Sequence, residues 1–375
     1  MSTAVEWKES VTVRRETARS YRILCLGETW FGSDARAAFA ALRRLGNSTL
    51  VLDSNHYVPL QWQTILAKGV RKLLRPVLVR ELMLDVYRAL DEYRPHCLFV
   101  FKGNWVHPEI INRCRQRGIA TVNYYPDVSV LSHGPYIPRA LPLYDQVFTT
   151  KSYGLQDMKE RLGVRKSSFL PPGYDPELHK PLEFTVEEAE KYSCDVAFIG
   201  TWSRKKELLL SALREAMRGI HLRIWGCQWE KSRSRNLADS IMRRTVTGDE
   251  YTKAICGASI CLGLLSEKGK GSSSGDLITA RTFQIPACGT LMLHERNAEV
   301  LRYFEEEKEA AFFGSVEELV EKISFYLAQP DQRRKVALNG LFRSLQGDYS
   351  IDNRMKVVVE WLDRNIDSLA INRLQ

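Results

Sequence analysis

The sequence predicts two successive doubly wound α/β domains, each a parallel sheet wrapped by helices, facing one another across a cleft. Three observations carry this. Short apolar runs alternate with helical stretches nearly throughout the 375 residues. A proline-dense segment, 168–182, interrupts the alternation, which then restarts. The length exceeds what one ordinary core organises and suits two domains.

The runs RILCLG (22–27), TLVLDS (49–54), CLFVFKG (97–103), IATVNYY (119–125) and QVFTT (146–150) have the length and continuous hydrophobicity of strands covered on both faces. Helical stretches are predicted between them at 34–46, 64–93, 107–117 and 152–162. Pro171, Pro172, Pro176 and Pro181 then remove any helical period and mark a linker. Beyond it DVAFIGT (195–201), LRIWG (222–226), TVTG (245–248), ASICLGLL (258–265), GTLML (289–293) and AAFFG (310–314) read as a second set of strands. Helices are predicted at 204–218, 249–257, 276–285, 315–328 and 330–346, with a last one near 350–368. The expected organisation is a polar lead (1–20), a first domain (21–180), a second domain (181–348) and a closing segment (349–375).

Composition narrows the function. With 44% hydrophobic and 26% charged residues the chain reads as globular, and no apolar run approaches the length of a membrane span. The start lacks the apolar core of a secretory signal. Eight cysteines lie scattered among apolar residues with no C-x-x-C pair, which suits reduced core thiols and a cytoplasmic protein. The net charge of +9 lies wholly in residues 1–180, which hold 26 Lys and Arg against 17 Asp and Glu; the remainder holds 28 of each. The densest basic stretch, RKLLRPVLVR (71–80), mixes cations with aliphatic residues. The surrounding segment 64–82 therefore suits an anionic membrane surface, and a peripheral position on its inner face. Stacking aromatics are missing from the basic stretch, so no nucleic-acid partner is expected. The chain has no H-E-x-x-H or kinase motif set, which weighs against protease and kinase readings.

In open α/β sheets ligands bind beyond the carboxyl ends of the strands, so the candidate residues are sought in those loops. GETWFGS (27–33) follows the first strand, and Gly32 and Ser33 allow close approach of a ligand to backbone. It is followed by a helix starting near Asp34. YYPDVSVLSHGP (124–135) offers Asp127 and His133, either of which suits holding or deprotonating an acceptor hydroxyl. GTWSRKKE (200–207) places Thr201, Arg204 and Lys205 at a helix start, where cations and free N–H groups suit a diphosphate. Gly226, Trp229, Gly248 and Tyr251 lie in two further strand-end loops and could frame a nucleobase, although Trp225 and Trp229 suit a core equally well. SEKGKGSSSG (266–275), with Ser274 and Gly275 at its end, is a small-residue loop of phosphate-cradling type but not a Walker loop. It leads into GDLITARTFQIPACG, in which Asp276 and Gln284 stand eight apart, on nearly one face of a helix.

That last segment resembles the donor-site signature of GT-B glycosyltransferases, in which two glutamates eight apart precede a small-residue turn. RTFQIPACG is closest to the spore-maturation CgeB-like branch, which usually reads R-x-F-E-I-P-A-C-G, and the G-x-x-W-x-G-S segment at 27–33 is similar to the start of that branch as well. This chain departs at both acidic positions, with Asp276 and Gln284 in place of glutamates. The resemblance implies a GT-B fold whose last helix crosses back onto the first domain. It implies transfer of a sugar from a nucleotide-diphosphate donor to a hydroxyl of a glycan, glycolipid or other acceptor, with retention at the anomeric carbon. Gln284 would hydrogen-bond the ribose, Asp276 the donor sugar, and Arg204 and Lys205 the diphosphate. The chain has no D-x-D triplet of the kind that holds a metal on the diphosphate, so no metal and no other cofactor is expected. The alternative is a non-catalytic relative that binds the nucleotide sugar as a regulator or scaffold.

Overall fold

The computed structural model describes residues 19–57 and 65–374, with side-chain surroundings for 19–57 and 74–369. Most of the predicted lead and the side chains of the basic stretch up to residue 73 lie outside the described residues. The first domain contains β1 (Arg22–Gly27), α1 (Asp34–Arg44), β2 (Ser48–Asp53), α2 (Ser54–Tyr57), α3 (Ile65–Glu92), β3 (Cys97–Phe101), α4 (Pro108–Gln116), β4 (Ala120–Tyr125), α5 (Tyr136–Ala140), β5 (Gln146–Thr149), α6 (Gly154–Leu162) and β6 (Ser167–Phe169). The second contains α7 (Val186–Tyr192), β7 (Cys194–Ile199), α8 (Arg204–Ala216), β8 (Leu222–Trp225), α9 (Asp249–Cys256), β9 (Ala258–Gly263), α10 (Ala280–Ala287), β10 (Leu291–Glu295), β11 (Ala311–Phe313), α11 (Val316–Ala328) and α12 (Pro330–Gln346), and α13 (Ile351–Leu374) closes the chain. Among the described residues no helix is long and apolar enough to cross a membrane.

Both sheets are parallel throughout, in the orders β2-β1-β3-β4-β5-β6 and β11-β10-β9-β7-β8. Strand order reverses beside β1 in the first sheet and beside β7 in the second. Each reversal leaves a crevice at the carboxyl ends, between β1 and β3 and between β7 and β9. The two crevices face each other, which is the GT-B arrangement.

Each sheet is packed on both faces. In the first domain Ile23, Phe39, Phe99 and Val122 form one layer, and Leu24, Leu82, Leu98 and Ile110 the other. The layer containing Phe39 is completed by Ile351, Met355, Val358, Val359 and Leu362 of α13. That helix lies along α1 and over β4, and Asp363 accepts a hydrogen bond from the Tyr21 hydroxyl at 2.7 Å. The chain passes between domains twice at one place. Tyr174 and Ser350 pair as an isolated β-bridge, and a Cβ on Gly173 would press on the backbone of 349–351.

The differences from the predicted elements have local causes. TVTG (245–248) is a loop; the parallel bridge to β8 is made upstream, at Ile241, and Gly248 at φ +54° ends the run. β6 opens the segment read as linker, its Ser167-Ser168 hiding any apolar alternation. The helix predicted at 276–285 begins at Ala280, because Thr279 is extended (φ −136°, ψ 176°) and its N–H donates to Thr282 Oγ1 at 3.0 Å. Asp276 is therefore in the loop before α10, and not on one helix face with Gln284.

Candidate active site

Besides a large opening of about 1080 Å³ that runs from Glu28, Trp30 and Lys102 to Thr201, Gly226 and Trp229, three smaller cavities lie at the domain boundary. A central one of about 330 Å³ is lined by Asp34, Asp127, Lys151, Asp276, Thr279 and Arg281 among others. A second, of about 270 Å³, opens toward the second sheet and is lined by Gly32, Thr201, Gly226, Gly248, Tyr251 and Gln284. A third, of about 170 Å³, lies in the first domain between the ends of β1 and β3, against Glu28, Trp30, Lys102 and Asn104.

The central cavity is built around the start of α10. A helix start presents unsatisfied N–H groups and positive potential. Thr279 Oγ1 is buried there without a hydrogen-bond partner. Arg281 donates through Nη2 to Leu264 O at 2.9 Å and lies over the Phe198 ring at 5.7 Å, while its Nε is buried and unpartnered. The guanidinium lines both the central and the second cavity. Beneath it Lys206, nearly buried, donates to Thr201 O and Ser266 Oγ, each at 3.3 Å. Burial, assisted by the nearby Arg281 charge, lowers the Lys206 ammonium to about 8. An anion bound at this point would meet the Arg281 guanidinium, a hydroxyl and a helix start, with the Lys206 ammonium buried behind them. Asp276 faces the same space and pairs with Lys151 across the domain boundary at 2.6 Å, both side chains 7% exposed. Lys151 also reaches Ile278 O at 3.4 Å.

The second cavity has a floor of close backbone approaches. Gly226, at φ +134°, lies against Gly200, where a Cβ would collide. Gly32 and Gly248 touch across the domains, and a Cβ on Gly248 would run into the Phe31 ring. Among the polar groups of this cavity is Gln284, whose Oε1 accepts from Tyr251 Oη at 2.6 Å and whose Nε2 reaches Asp34 Oδ1 at 3.5 Å. Behind Tyr251 stands His179, edge-on at 5.7 Å, its Nδ1 accepting from the Asp175 N–H at 2.9 Å. Burial lowers His179 to about 4, so the ring is neutral near pH 7. Gly248→Ala is expected to weaken nucleotide binding about tenfold or more, since it combines an unfavourable φ with a clash at the domain contact. Calorimetric titration with nucleotide checks it. Gly163→Ala, with a similar φ of +70° but open space around it, should bind normally.

On the first-domain wall Asp127 pairs with Lys102 at 2.8 Å, and His133 Nε2 lies 3.3 Å from the same carboxylate oxygen. Lys102 adopts φ +64°, a conformation a side-chain-bearing residue holds only when its surroundings impose it. Here Lys102 donates its N–H to Tyr124 O at 2.8 Å and accepts from Asn123 Nδ2 at 3.2 Å. Burial outweighs the Asp127 charge and lowers His133, leaving it neutral near pH 7; burial likewise raises Glu28.

The structure thus brings Asp127, Asp276, Gly32, Thr201, Gly226, Gly248, Tyr251 and Gln284 to the cleft, with His133 on Asp127. Four expected residues stand elsewhere, and two, Trp229 and Ser33, have another task. Arg204 is 61% exposed and pairs with Glu207 at 3.2 Å. Lys205 turns to Glu295 and Leu265 O. Of three successive cations only Lys206 falls in helical phase with the buried Leu210 and Leu213. Trp229 is core, 3% exposed, its indole N–H donating to Gly200 O at 2.9 Å. Ser274 and Gly275 end a loop that is not an open phosphate cradle. It is strapped to the first domain, with Ser273 N–H and Oγ on Asp157 at 2.8 and 3.1 Å and Lys270 O accepting from Ser129 Oγ. Ser33 lines the third cavity, but its Oγ caps α1, accepting from Arg36 N–H at 3.1 Å. Sequence reasoning missed Lys206, Arg281, Lys151, Asp34, Glu28 and Lys102. Arg281 stood in the motif itself, and the phase of α8 would have singled out Lys206.

Fold and cleft together define the GT-B class of two-domain α/β structures. Residues 204–360 match the sequence profile of a family described as glycosyl transferase-like. No curated protein sequence matches the chain. Solved structures match over nearly the whole of both chains. Sucrose-phosphate synthase from Thermosynechococcus elongatus is 14% identical, with a TM-score of 0.65, over 93% of this chain and 100% of that one. The Anabaena protein HepE in complex with UDP-glucose is 12% identical, with a TM-score of 0.59, over 92% and 99%. The UDP-GlcNAc 2-epimerase of Neisseria meningitidis is 13% identical, with a TM-score of 0.51, over 92% and 100%.

Proposed function

We propose that this protein transfers a sugar from a nucleotide-diphosphate donor to a hydroxyl of a glycan or glycolipid acceptor, without a metal. The observation that carries the reading is the order of groups along the cleft. A hydrogen-bonding pair, Gln284 and Tyr251, suits a ribose in the second cavity. Arg281, Thr279 and the α10 start come next and suit the diphosphate, with Lys206 behind them. Asp276, held by Lys151, follows and suits donor-sugar hydroxyls. The fixed cations and helix start would neutralise charge as the diphosphate leaves, in the role a metal takes elsewhere. Trp30, 46% exposed at the mouth of the third cavity, offers a flat apolar face of the kind sugar rings pack on. The matched family profile and the nucleotide-sugar complexes among the similar structures support the same reading.

A thermal-shift screen against UDP, GDP, dTDP, CDP and ADP, with and without EDTA, tests it. A ligand present at 100 times its Kd adds about 2.7 kcal/mol of stability. One nucleotide should raise the midpoint, equally with EDTA present. No shift with any nucleotide would remove the donor site. A binding-only protein remains the second reading, favoured by Gln284, which stands at the second acidic position and is already engaged by Tyr251 and Asp34. Nucleotide release from a donor sugar separates the two.

A further inference from the structure

A buried histidine hydrogen-bonds the first turn of α10. His294 lies on β10 with no exposed surface, and its ring fills the space beside Gly263, where a Cβ would come within 2.3 Å of it. Phe312 meets the ring edge-on at 6.4 Å. Its Nδ1 lies 2.7 Å from Glu295 O, and its Nε2 lies 3.0 Å from Thr282 Oγ1. We propose that His294 is a positioning residue of the diphosphate site, acting through the Thr282 hydroxyl on Thr279. This assignment rests on the donor site proposed above.

The proton positions follow from the partners. A backbone carbonyl can only accept, so Nδ1 carries the ring proton. Burial lowers the ring to about 4, so near pH 7 it holds no second proton and Nε2 is an acceptor. The Thr282 hydroxyl therefore donates to Nε2, which turns an oxygen lone pair toward the Thr279 N–H, bonded to it at 3.0 Å. Without the ring that hydroxyl would be free to rotate. Thr279 is thereby held extended just ahead of α10, where it lines the central cavity with its Oγ1 buried and unpartnered. A buried hydroxyl left without a partner is costly, and a phosphate oxygen seated in the cavity would supply one.

The next residue fixes the other half of the site. Glu295 sets the tautomer through its carbonyl, and its carboxylate accepts from the Leu265 N–H at 2.7 Å. The adjoining Leu264 O is the acceptor that holds Arg281, at 2.9 Å. Two successive residues of β10 thus anchor the segments that fix Thr279 and Arg281. Donors fixed in this way need no rearrangement when an anion arrives.

The test separates the diphosphate contact from the rest of the nucleotide. UDP, GDP, dTDP, CDP and ADP are each titrated against the full chain beside the corresponding nucleoside, with NMR giving both dissociation constants. Thr282→Val keeps the side-chain shape and removes the hydroxyl. His294→Asn keeps a donor near the Nδ1 position only, whereas His294→Gln offers an acceptor near the Nε2 position. In Thr282→Val and His294→Asn the diphosphate affinity should fall about tenfold, with nucleoside affinity within about twofold of wild type. His294→Gln should recover most of the diphosphate affinity. Thr282→Val combined with His294→Asn should be no weaker than Thr282→Val alone, because both act on Thr279. A loss shared equally by nucleoside and diphosphate overturns the assignment, since general damage to the fold would do the same. So does full additivity in the double variant, a His294→Gln protein as weak as His294→Asn, or wild-type affinity in Thr282→Val. A wild-type protein that binds no nucleotide overturns the donor-site reading, and the assignment falls with it.

Discussion

Arg281→Ala is expected to lower turnover by about 10²–10³-fold, the usual cost of removing one preorganised donor from a developing negative charge. The guanidinium is fixed by Leu264 O and by the Phe198 ring, and it faces both the central and the second cavity. No reorganisation is needed when the diphosphate departs. Arg281→Lys should recover only part of the loss, because an ammonium cannot reproduce a fork held against a ring and a carbonyl at once. Arg204→Ala provides the contrast: its side chain is exposed and paired within its own helix, so turnover should stay within about threefold. Steady-state nucleotide release measures all three. Equal losses at Arg204 and Arg281 would contradict the placement of the phosphate site.

Lys151→Met should be the most destabilising single change at the domain boundary. It leaves the Asp276 carboxylate buried without its partner, and breaking such a pair from one side costs about 3–5 kcal/mol. Asp276 retains only the Ser266 N–H, at 3.4 Å. Lys151→Met with Asp276→Asn should recover a substantial part of the loss, because the uncompensated charge is gone. Urea unfolding of the four proteins completes the cycle. A single variant within about 1 kcal/mol of wild type would show the pair to be solvated and the boundary looser than described.

The layered architecture was legible because parallel strands leave continuous apolar runs, and helices between them leave a different period. Ten of the eleven strands follow from that contrast; β6 does not, since its SSF carries almost no apolar signal. The site was legible in part. Residues whose type is dictated by backbone geometry, such as Gly226 and Gly248, announce themselves, because a close approach or a positive φ admits little else. Residues whose role depends on helical phase do not. Arg204, Lys205 and Lys206 are adjacent cations, and only the packing of Leu210 and Leu213 decides which of them turns inward. Pairings between distant segments were invisible: Lys151 with Asp276 spans 125 positions, and Gln284 with Asp34 spans 250. A Ser-Gly loop strapped to another domain reads in sequence like one that cradles phosphate, because both need small residues.

The closing helix has a consequence for biogenesis. Synthesis delivers the first domain's strands early, but Ile351, Met355, Val358 and Leu362, which complete the cover on the Phe39 side of that sheet, leave the ribosome only after the whole second domain. The second domain, whose strands lie entirely within 194–313, has its full sheet available sooner after its own start. The half made first is thus finished after the other, and nascent chains carry a sheet face covered only by α1 until α13 follows. Chaperone dependence should accordingly concentrate on the amino-terminal half, and a stop codon near residue 350 should expose that face permanently, while the second sheet keeps all its strands.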